Sequence, residues 1–300
     1  MKKRHKIFRY LLLLGLGALL VRFYLPSKPA NFLFNHEQNA YGLTSAKLHS
    51  PNVILEKLDT QEIIYEKNKD EKIAIASLTK IMTAYILLTE APDLDAYLTV
   101  DPQVINELTA QGASLSGFIP NDQVTVRDLA YGILLPSGGD AAIIVANWLA
   151  GSEAEFAKKM NQYAKDLNMS QTQFKNATGL DQSGHYSTVN DLRILLTKAL
   201  KNLNFYHIFT TFEYQTIASP FSPNGYYLAS TLLKEKNDLA LNCGTLLGGK
   251  TGYTKDAGLC LASIAEIDGE LYLLISAGAN GDPSTEQFNL SDAKMLYNQL

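Results

Sequence analysis

The separation of strand patterns from helix patterns along the chain is the feature that most constrains its fold. Two short apolar runs, Val53–Leu58 and Ile63–Tyr65, flank the turn Asp59-Thr60-Gln61 and predict a β-hairpin. A long middle part carries helical spacing, and strand patterns return only from about residue 212. This order predicts an α+β domain with an antiparallel sheet built from both ends of the chain and an inserted helical subdomain.

Capping residues delimit the helices of the middle part. Apolar residues recur at helical spacing from Ser77 to Glu90, and Pro92 ends that helix. Four further helices are predicted, with their N-terminal caps in parentheses: 129–135 (Thr125, with Asp128 completing a capping box), 141–150 (Asp140), 152–167 (Ser152 with Glu155) and one opening at 188 (Thr188 with Asp191).

The last third of the chain reads as strands followed by a helix. Asp268-Gly269 is a strong signal for a hairpin turn. The predicted strands cover residues 212–218, 226–232, 246–251, 259–266 and 271–277, and the terminal helix is marked by Ala293, Leu296, Tyr297 and Leu300.

The N-terminal residues have the anatomy of an export signal. Five basic side chains lie within residues 1–9, and an uncharged apolar run covers residues 10–21. The run is shorter than the roughly 20 residues that span a bilayer, and it is followed by no clear Ala-x-Ala cleavage site. Residues 1–25 are therefore expected to be a retained membrane anchor or a cleaved signal peptide. Residues 26–45 are expected to be a linker, and 46–300 a domain outside the cytoplasm.

Several functional classes are disfavoured. Beyond residue 9 the chain carries 21 basic against 30 acidic side chains, which argues against nucleic-acid binding. The five histidines form no His-x-x-x-His pair, so a zinc protease is not expected. A Gly-x-Ser-x-Gly elbow and a phosphate-binding glycine loop are absent from the sequence. Cys243 and Cys260 could form a disulfide outside the cytoplasm, or remain two buried thiols.

Ser77-Leu78-Thr79-Lys80 can carry nucleophilic chemistry. Serine and lysine three residues apart lie on one helix face, and a serine hydroxyl needs an adjacent base to become a nucleophile. Burial and the helix N-terminus would both lower the pKa of Lys80. Alone, the spacing is explained as well by a serine cap and a helix-forming lysine.

Two further motifs could complete such a site. Ser137, in Ser137-Gly138-Gly139, could shuttle a proton to a leaving group, or the motif could be only a helix–helix turn. Glycines in the strand Gly248–Thr254 indicate close backbone approach by a ligand, and Lys250 and Thr251 could hold a carboxylate. The alternative there is a bulged edge strand with a solvated lysine.

The three motifs, in this order, resemble those of the penicillin-recognising serine enzymes. The chain is most similar to D-alanyl-D-alanine carboxypeptidases of the low-molecular-weight penicillin-binding protein type, peptidase family S11. The likeness runs from about residue 45 to residue 295 and includes Ile75–Thr83, Asn176–Asp181 and Gly249–Thr254. It implies a β-lactamase/transpeptidase-like fold.

The resemblance also implies roles. Ser77 would attack the carbonyl between the two terminal D-alanines of a peptidoglycan stem pentapeptide, Lys80 would take its proton, and Ser137 would relay a proton to the leaving D-alanine. Lys250 and Thr251 would bind the terminal carboxylate, with Gly252 and Tyr253 also in the substrate-binding strand. The N–H groups of Ser77 and Tyr253 would form the oxyanion hole. β-Lactams would acylate Ser77 as inhibitors, and no metal or cofactor is implied.

One departure from the family pattern keeps alternatives open. Gly139 stands where the second motif usually carries an asparagine, so a side chain that would contact substrate is missing. A serine β-lactamase is one rival, but residues 170–191 hold no glutamate to activate a deacylating water. A non-catalytic wall-binding module on the same fold is another, and transpeptidation could accompany hydrolysis.

Overall fold

The computed structural model describes residues 48–235 and 239–300, which form ten strands and eight helices. The sequence-based predictions for residues 1–25 and 26–45 lie outside the described residues. The strands are β1 (Asn52–Lys57), β2 (Glu62–Lys67), β3 (Tyr97–Thr99), β4 (Gln123–Thr125), β5 (Glu213–Gln215), β6 (Tyr227–Ala229), β7 (Ala240–Leu241), β8 (Gly244–Thr254), β9 (Gly258–Ile267) and β10 (Glu270–Ala279).

The helices lie mostly between β2 and β7. They are α1 (Thr79–Glu90), α2 (Pro102–Ala110), α3 (Val126–Leu134), α4 (Gly139–Ala150), α5 (Glu153–Asp166), α6 (Val189–Ala199), α7 (Leu203–Phe209) and α8 (Phe288–Tyr297). Short 3₁₀ turns at Ala76–Leu78 and Thr231–Glu235 complete the helical part.

A six-stranded antiparallel sheet organises the molecule. Its strand order is β2-β1-β10-β9-β8-β7, so β1 from the start of the chain pairs with β10 from its end. The predicted hairpin at 53–65 and the hairpin at Asp268-Gly269 are both present in it. The prediction of an α+β domain with a sheet from both chain ends is therefore confirmed.

The sheet is covered on both faces, which explains the near-continuous apolar runs in its central strands. Because strand side chains alternate, Ile54 faces one hydrophobic cluster while its neighbours Val53 and Leu55 face another. The first cluster packs α1 and the other central helices against the sheet. The second packs α8 against the opposite face. Residues 79–88 of α1 are all buried, so this helix lies at the centre of the domain.

The local capping signals located most of the predicted helices. Thr125 and Asp128 form a reciprocal capping box before α3, and Ser152 and Thr188 cap α5 and α6 through their side chains. Asp140 was expected to cap α4, and this is wrong. Gly138 is the N-cap residue, and Asp140 lies in the first turn with its carboxylate turned to Ser116.

The predicted strands at 212–218 and 226–232 are much shorter in the structure. β5 and β6 form a separate two-stranded sheet and do not join the main one. Aromatic side chains give this segment its strand character, but one of them packs on a helix: Tyr214 stacks on Tyr131 at a centroid distance of 3.6 Å and donates a hydrogen bond to Asp128.

Two further findings bear on the sequence-based expectations. No helix among the described residues is long and apolar enough to cross a membrane. Cys243 and Cys260 are both free thiols rather than a disulfide. Burial raises the pKa of the Cys260 thiol to about 12, so this cysteine is an unreactive core residue.

Candidate active site

Ser77 lies in the 3₁₀ turn that leads into α1, and the backbone just before it is strained. Ala76 has a φ of +46°, a left-handed conformation that costs an alanine about 1–3 kcal/mol. Two close backbone approaches hold it there. A side-chain carbon on Gly179 would lie 1.9 Å from Ala76 O, and one on Gly252 would lie 3.1 Å from Ser77 N. Gly179 is thus required for its segment to close on the serine, and Gly252 allows a close approach in which a side chain would be tight.

Lys80 follows one helical turn later and contacts the serine directly. Its Nζ lies 2.9 Å from Ser77 Oγ and 2.8 Å from the Thr178 carbonyl oxygen. The lysine side chain is almost completely buried. Burial lowers the pKa of Lys80 to about 7, although the carboxylates of Asp140 and Glu153 act in the opposite direction. A substantial neutral fraction at neutral pH makes this lysine competent as a general base.

Ser137 stands in the sharp link between α3 and α4. Its φ of +67° is again left-handed, and the residue is nearly buried. Pro136 precedes it and Gly138 follows, with Gly138 N donating to Gly132 O at 2.8 Å. The link therefore fixes the serine backbone, and Ser137 lines the same cavity as Ser77 and Lys80.

β8 supplies the opposite wall. Thr251 Oγ1 lies 2.6 Å from Thr231 Oγ1, which comes from the 3₁₀ turn after β6. Lys250 is fully buried, and its Nζ donates to Thr251 O at 2.7 Å. Burial, and secondarily the charge of Lys80, hold the pKa of Lys250 well below its ordinary value.

These elements enclose one cavity of about 210 Å³. Six of the seven site residues that the sequence predicted line it: Ser77, Lys80, Ser137, Thr251, Gly252 and Tyr253. Lys250, the seventh, lies behind Thr251 and is not among the lining residues. Among the described residues, no group of three or more His, Cys, Asp and Glu side chains could hold a metal ion.

The cavity wall also contains residues that the three sequence motifs did not indicate. Thr178, Gly179 and Leu180 contribute one side, Gly112, Ala113 and Ser114 a second, and Thr231 a third. Each is remote in sequence from the motif it adjoins, so helical or strand spacing could not reveal it. The Asn176–Asp181 likeness was the one signal that pointed to the first of these segments.

The backbone of the loop 112–116 packs against Gly139. Gly139 N donates to Ser114 O at 2.8 Å, and a side-chain carbon at Gly139 would lie 3.3 Å from that oxygen and 3.2 Å from Leu108 Cδ1. The buried Asp140 carboxylate holds the same loop by accepting hydrogen bonds from Ser116 N, at 2.8 Å, and from Ser116 Oγ. The loop and Leu108 therefore leave little room for a first side-chain carbon at Gly139, although Gly139 also borders the cavity.

Replacing Gly139 with asparagine is accordingly expected to destabilise the protein and not to raise its activity. The new side chain would press on Ser114 O and Leu108, and overpacking of this kind costs about 1–3 kcal/mol. Urea unfolding measures the loss, and Gly139→Ala, which adds only the first carbon, should lose less. A stable Gly139→Asn variant with tenfold higher turnover would show instead that this position is open to substrate.

The fold and the serine–lysine pair together define the β-lactamase/transpeptidase-like class of proteins. A sequence model of one family within that class, described as D-alanyl-D-alanine carboxypeptidase, matches residues 38–280. The chain belongs to this family, peptidase family S11.

Individual relatives agree with the family. The D-alanyl-D-alanine carboxypeptidase DacF of Bacillus subtilis is 34% identical over 257 residues, which are 84% of this chain and 63% of DacF. The chain thus spans somewhat less than two thirds of that relative. A D-alanyl-D-alanine carboxypeptidase of Streptomyces (strain K15) is 31% identical over 80% of this chain and 82% of its own length.

Solved structures show the same architecture. The crystal structure of the Streptomyces K15 DD-transpeptidase superposes with a TM-score of 0.75 at 27% identity, covering 86% of this chain and 98% of that one. Penicillin-binding protein D2 from Listeria monocytogenes, solved in an ampicillin-bound form, gives a TM-score of 0.68 at 29% identity, covering 85% and 98%.

Proposed function

We propose that this protein is a serine-type D-Ala-D-Ala carboxypeptidase that removes the terminal D-alanine from peptidoglycan stem peptides. The observation that carries the proposal is the 2.9 Å contact between Ser77 Oγ and the buried amine of Lys80 at the wall of the cavity. Family membership supports the substrate, and the ampicillin-bound relative supports β-lactams as inhibitors.

The proposed reaction combines the Ser77–Lys80 contact with the roles that the family resemblance implies for the other site residues. Ser77 Oγ attacks the carbonyl carbon of the scissile peptide bond while neutral Lys80 accepts the hydroxyl proton. The oxyanion would be stabilised by the N–H groups of Ser77 and Tyr253, worth a few kcal/mol per donor. The C–N bond then breaks, the D-alanine nitrogen takes a proton by way of Ser137, and an ester remains on Ser77. Water attacks this ester and releases the shortened peptide and the free serine.

The same acyl-enzyme permits transfer to an amine in place of water. The relatives of this chain from Streptomyces K15 include both a D-alanyl-D-alanine carboxypeptidase and a DD-transpeptidase, which supports transfer as a second outcome. A β-lactamase is less favoured, because residues 170–191 offer no glutamate to activate water at the acyl-enzyme.

The test is release of D-alanine from a peptide ending in Lys-D-Ala-D-Ala, measured with and without an added amine acceptor such as glycine, beside nitrocefin turnover. We expect D-alanine release, with most product hydrolysed. Absence of release would contradict the proposal and favour a wall-binding module. Nitrocefin turnover much faster than D-alanine release would favour a β-lactamase.

We expect kcat/KM for D-alanine release to fall as the pH drops below about 7. Lys80 must be neutral to accept the serine proton, and its pKa lies at about 7, so protonation at lower pH removes the base. The activity that depends on the neutral amine is therefore present above this pH and lost as the pH falls through it. Rates from about pH 5 to about pH 9 check this, and a profile flat through neutrality would contradict it.

We further propose that the protein acts outside the cytoplasm, held to the cell membrane by residues 1–25 or secreted if these are cleaved. Five basic residues ahead of an apolar run support export. Membrane fractionation of the full chain, with N-terminal sequencing of the mature protein, tests it. A mature N-terminus near residue 30 would contradict the anchor, and cytoplasmic recovery would contradict export.

A further inference from the structure

Glu153 links α5 to the loop that faces the nucleophile. The residue is half-buried at the first position of α5, and its Oε1 accepts a hydrogen bond from Ala177 N at 2.9 Å. The carbonyl oxygen of Ala177 is held as well, because Thr83 Oγ1 of α1 donates to it at 2.8 Å. Ala177 is therefore held at both its N–H and its carbonyl, by side chains from two different helices.

The fixed segment continues directly to the catalytic lysine. Thr178 follows Ala177, and its carbonyl oxygen accepts from Lys80 Nζ at 2.8 Å. Asn176 Oδ1 accepts from Gly179 N at 2.7 Å, so the backbone after Thr178 is held as well. In a neutral lysine, one N–H can donate to Thr178 O while the lone pair faces Ser77 Oγ, so this carbonyl restricts the directions open to the lone pair.

The charge of Glu153 also acts on Lys80. Among the described residues, the charged groups that interact electrostatically with the amine are Asp140 from α4, Glu153 from α5 and Lys250 from β8. Asp140 is committed to two hydrogen bonds with Ser116. Burial raises the pKa of the Glu153 carboxylate. The hydrogen bond from Ala177 N–H and the positive charge of Lys80 lower this pKa, but by less than burial raises it.

We propose that Glu153 is a positioning residue for Lys80, acting through the Ala177–Thr178 segment on the direction of the amine and through its negative charge on protonation. Glu153 is not among the residues that line the cavity, so it acts through these groups and not on substrate. The inference rests on the proposed role of Lys80 as the base. A glutamate in the first turn of a helix needs no such role, since it also complements the helix dipole, and the sequence alone therefore did not single it out.

The test compares three variants. Glu153→Gln keeps an oxygen acceptor for Ala177 N but removes the charge, and Glu153→Ala removes both. Glu155→Gln is the matched control, because Glu155 lies in the same first turn, is exposed, and pairs with Lys158 on the surface. Thermal unfolding of each variant confirms that it is folded.

Two measurements are read together. The first is the midpoint of the Lys80 titration, followed by NMR of the carbon next to its amine, and it requires no activity. The second is the pH dependence of kcat and KM for D-alanine release. We expect Glu153→Gln to move both midpoints to lower pH, because loss of a nearby negative charge favours the neutral amine. We expect Glu153→Ala to lower kcat by about tenfold with little change in KM, and Glu155→Gln to match the wild type.

The possible failures are distinguishable. A Lys80 titration in Glu153→Gln that superimposes on that of the wild type would overturn the inference, whatever the activity. So would a Glu153→Ala variant with unchanged kcat. Absence of D-alanine release by the wild type, with the titration shifted as expected, would overturn the proposed function and leave the link between Glu153 and Lys80 in place.

Discussion

Replacing Ser77 with alanine is expected to lower kcat/KM for D-alanine release by about 10⁴-fold or more. Removal of the hydroxyl removes the acyl-enzyme route, and the remaining binding groups and oxyanion donors can supply only residual catalysis. The release of D-alanine from a Lys-D-Ala-D-Ala peptide measures the loss. The fold should remain, because Ser77 Oγ is one short side-chain atom at the edge of a cavity.

The control for this change is an exposed serine. Ser170→Ala, in the turn after α5, should retain the wild-type rate. Both variants should unfold within about 1 kcal/mol of the wild type, as surface or cavity-edge substitutions usually do. A Ser77→Ala protein that keeps a few per cent of wild-type turnover would mean that another group is the nucleophile.

The second large effect is expected from Lys80→Met. Methionine fills a similar apolar volume but offers no base, so kcat/KM should fall by about 10³-fold, within the range known for general bases. Stability should change by no more than about 1–3 kcal/mol, because the amine's desolvation cost is removed while the buried Thr178 carbonyl loses its hydrogen-bond donor. The same substitution at the exposed Lys198 of α6 serves as the control.

The pH profile separates a lost base from a distorted site. The residual activity of Lys80→Met should lack the fall below about pH 7, because the group that titrates there is gone. Penicillin acylation of Ser77 should slow in parallel with D-alanine release. If Lys80→Met retained the same acidic limb as the wild type, the limb would belong to another residue and Lys80 would not be the base.

Sequence reasoning worked best where the signal is local. The capping box at Thr125 and the side-chain cap at Thr188 specify helix starts within four residues, and the Asp268-Gly269 turn specifies a hairpin. It was less successful where tertiary packing decides the outcome. Residues 212–232 form two strands shorter than predicted, and Tyr214 contacts Asp128 and Tyr131 in the helical part of the domain.

One missed element did carry a local signal. α2 begins at Pro102 with Asp101 as its cap, a combination typical of helix starts, yet it was not among the predicted helices. Asp140 shows the reverse error. It precedes an apolar helical run as a cap would, but its carboxylate is used by Ser116, 24 positions earlier in the chain, which spacing within one helix cannot reveal.

The site also contains both kinds of residue: some that sequence patterns predict, and others that only tertiary packing brings together. Ser77 and Lys80 are one helical turn apart, so their contact could be predicted from spacing, and the other motif residues followed from family resemblance. The groups that tune the pair come from distant parts of the chain. Thr178 lies 98 residues from Lys80, and Glu153 of α5 accepts a hydrogen bond from Ala177, the residue before Thr178. Only the folded backbone places the Ala177–Thr178 segment between them.

The central claim is that Ser77 is the residue that becomes acylated. The most direct test is to incubate the wild-type protein with benzylpenicillin, measure its intact mass, digest it, and locate the adduct by tandem mass spectrometry. We predict one penicilloyl group per chain, attached to Ser77, and none on Ser77→Ala. An unmodified wild-type protein, or an adduct on Ser137 or any other residue, would contradict the claim.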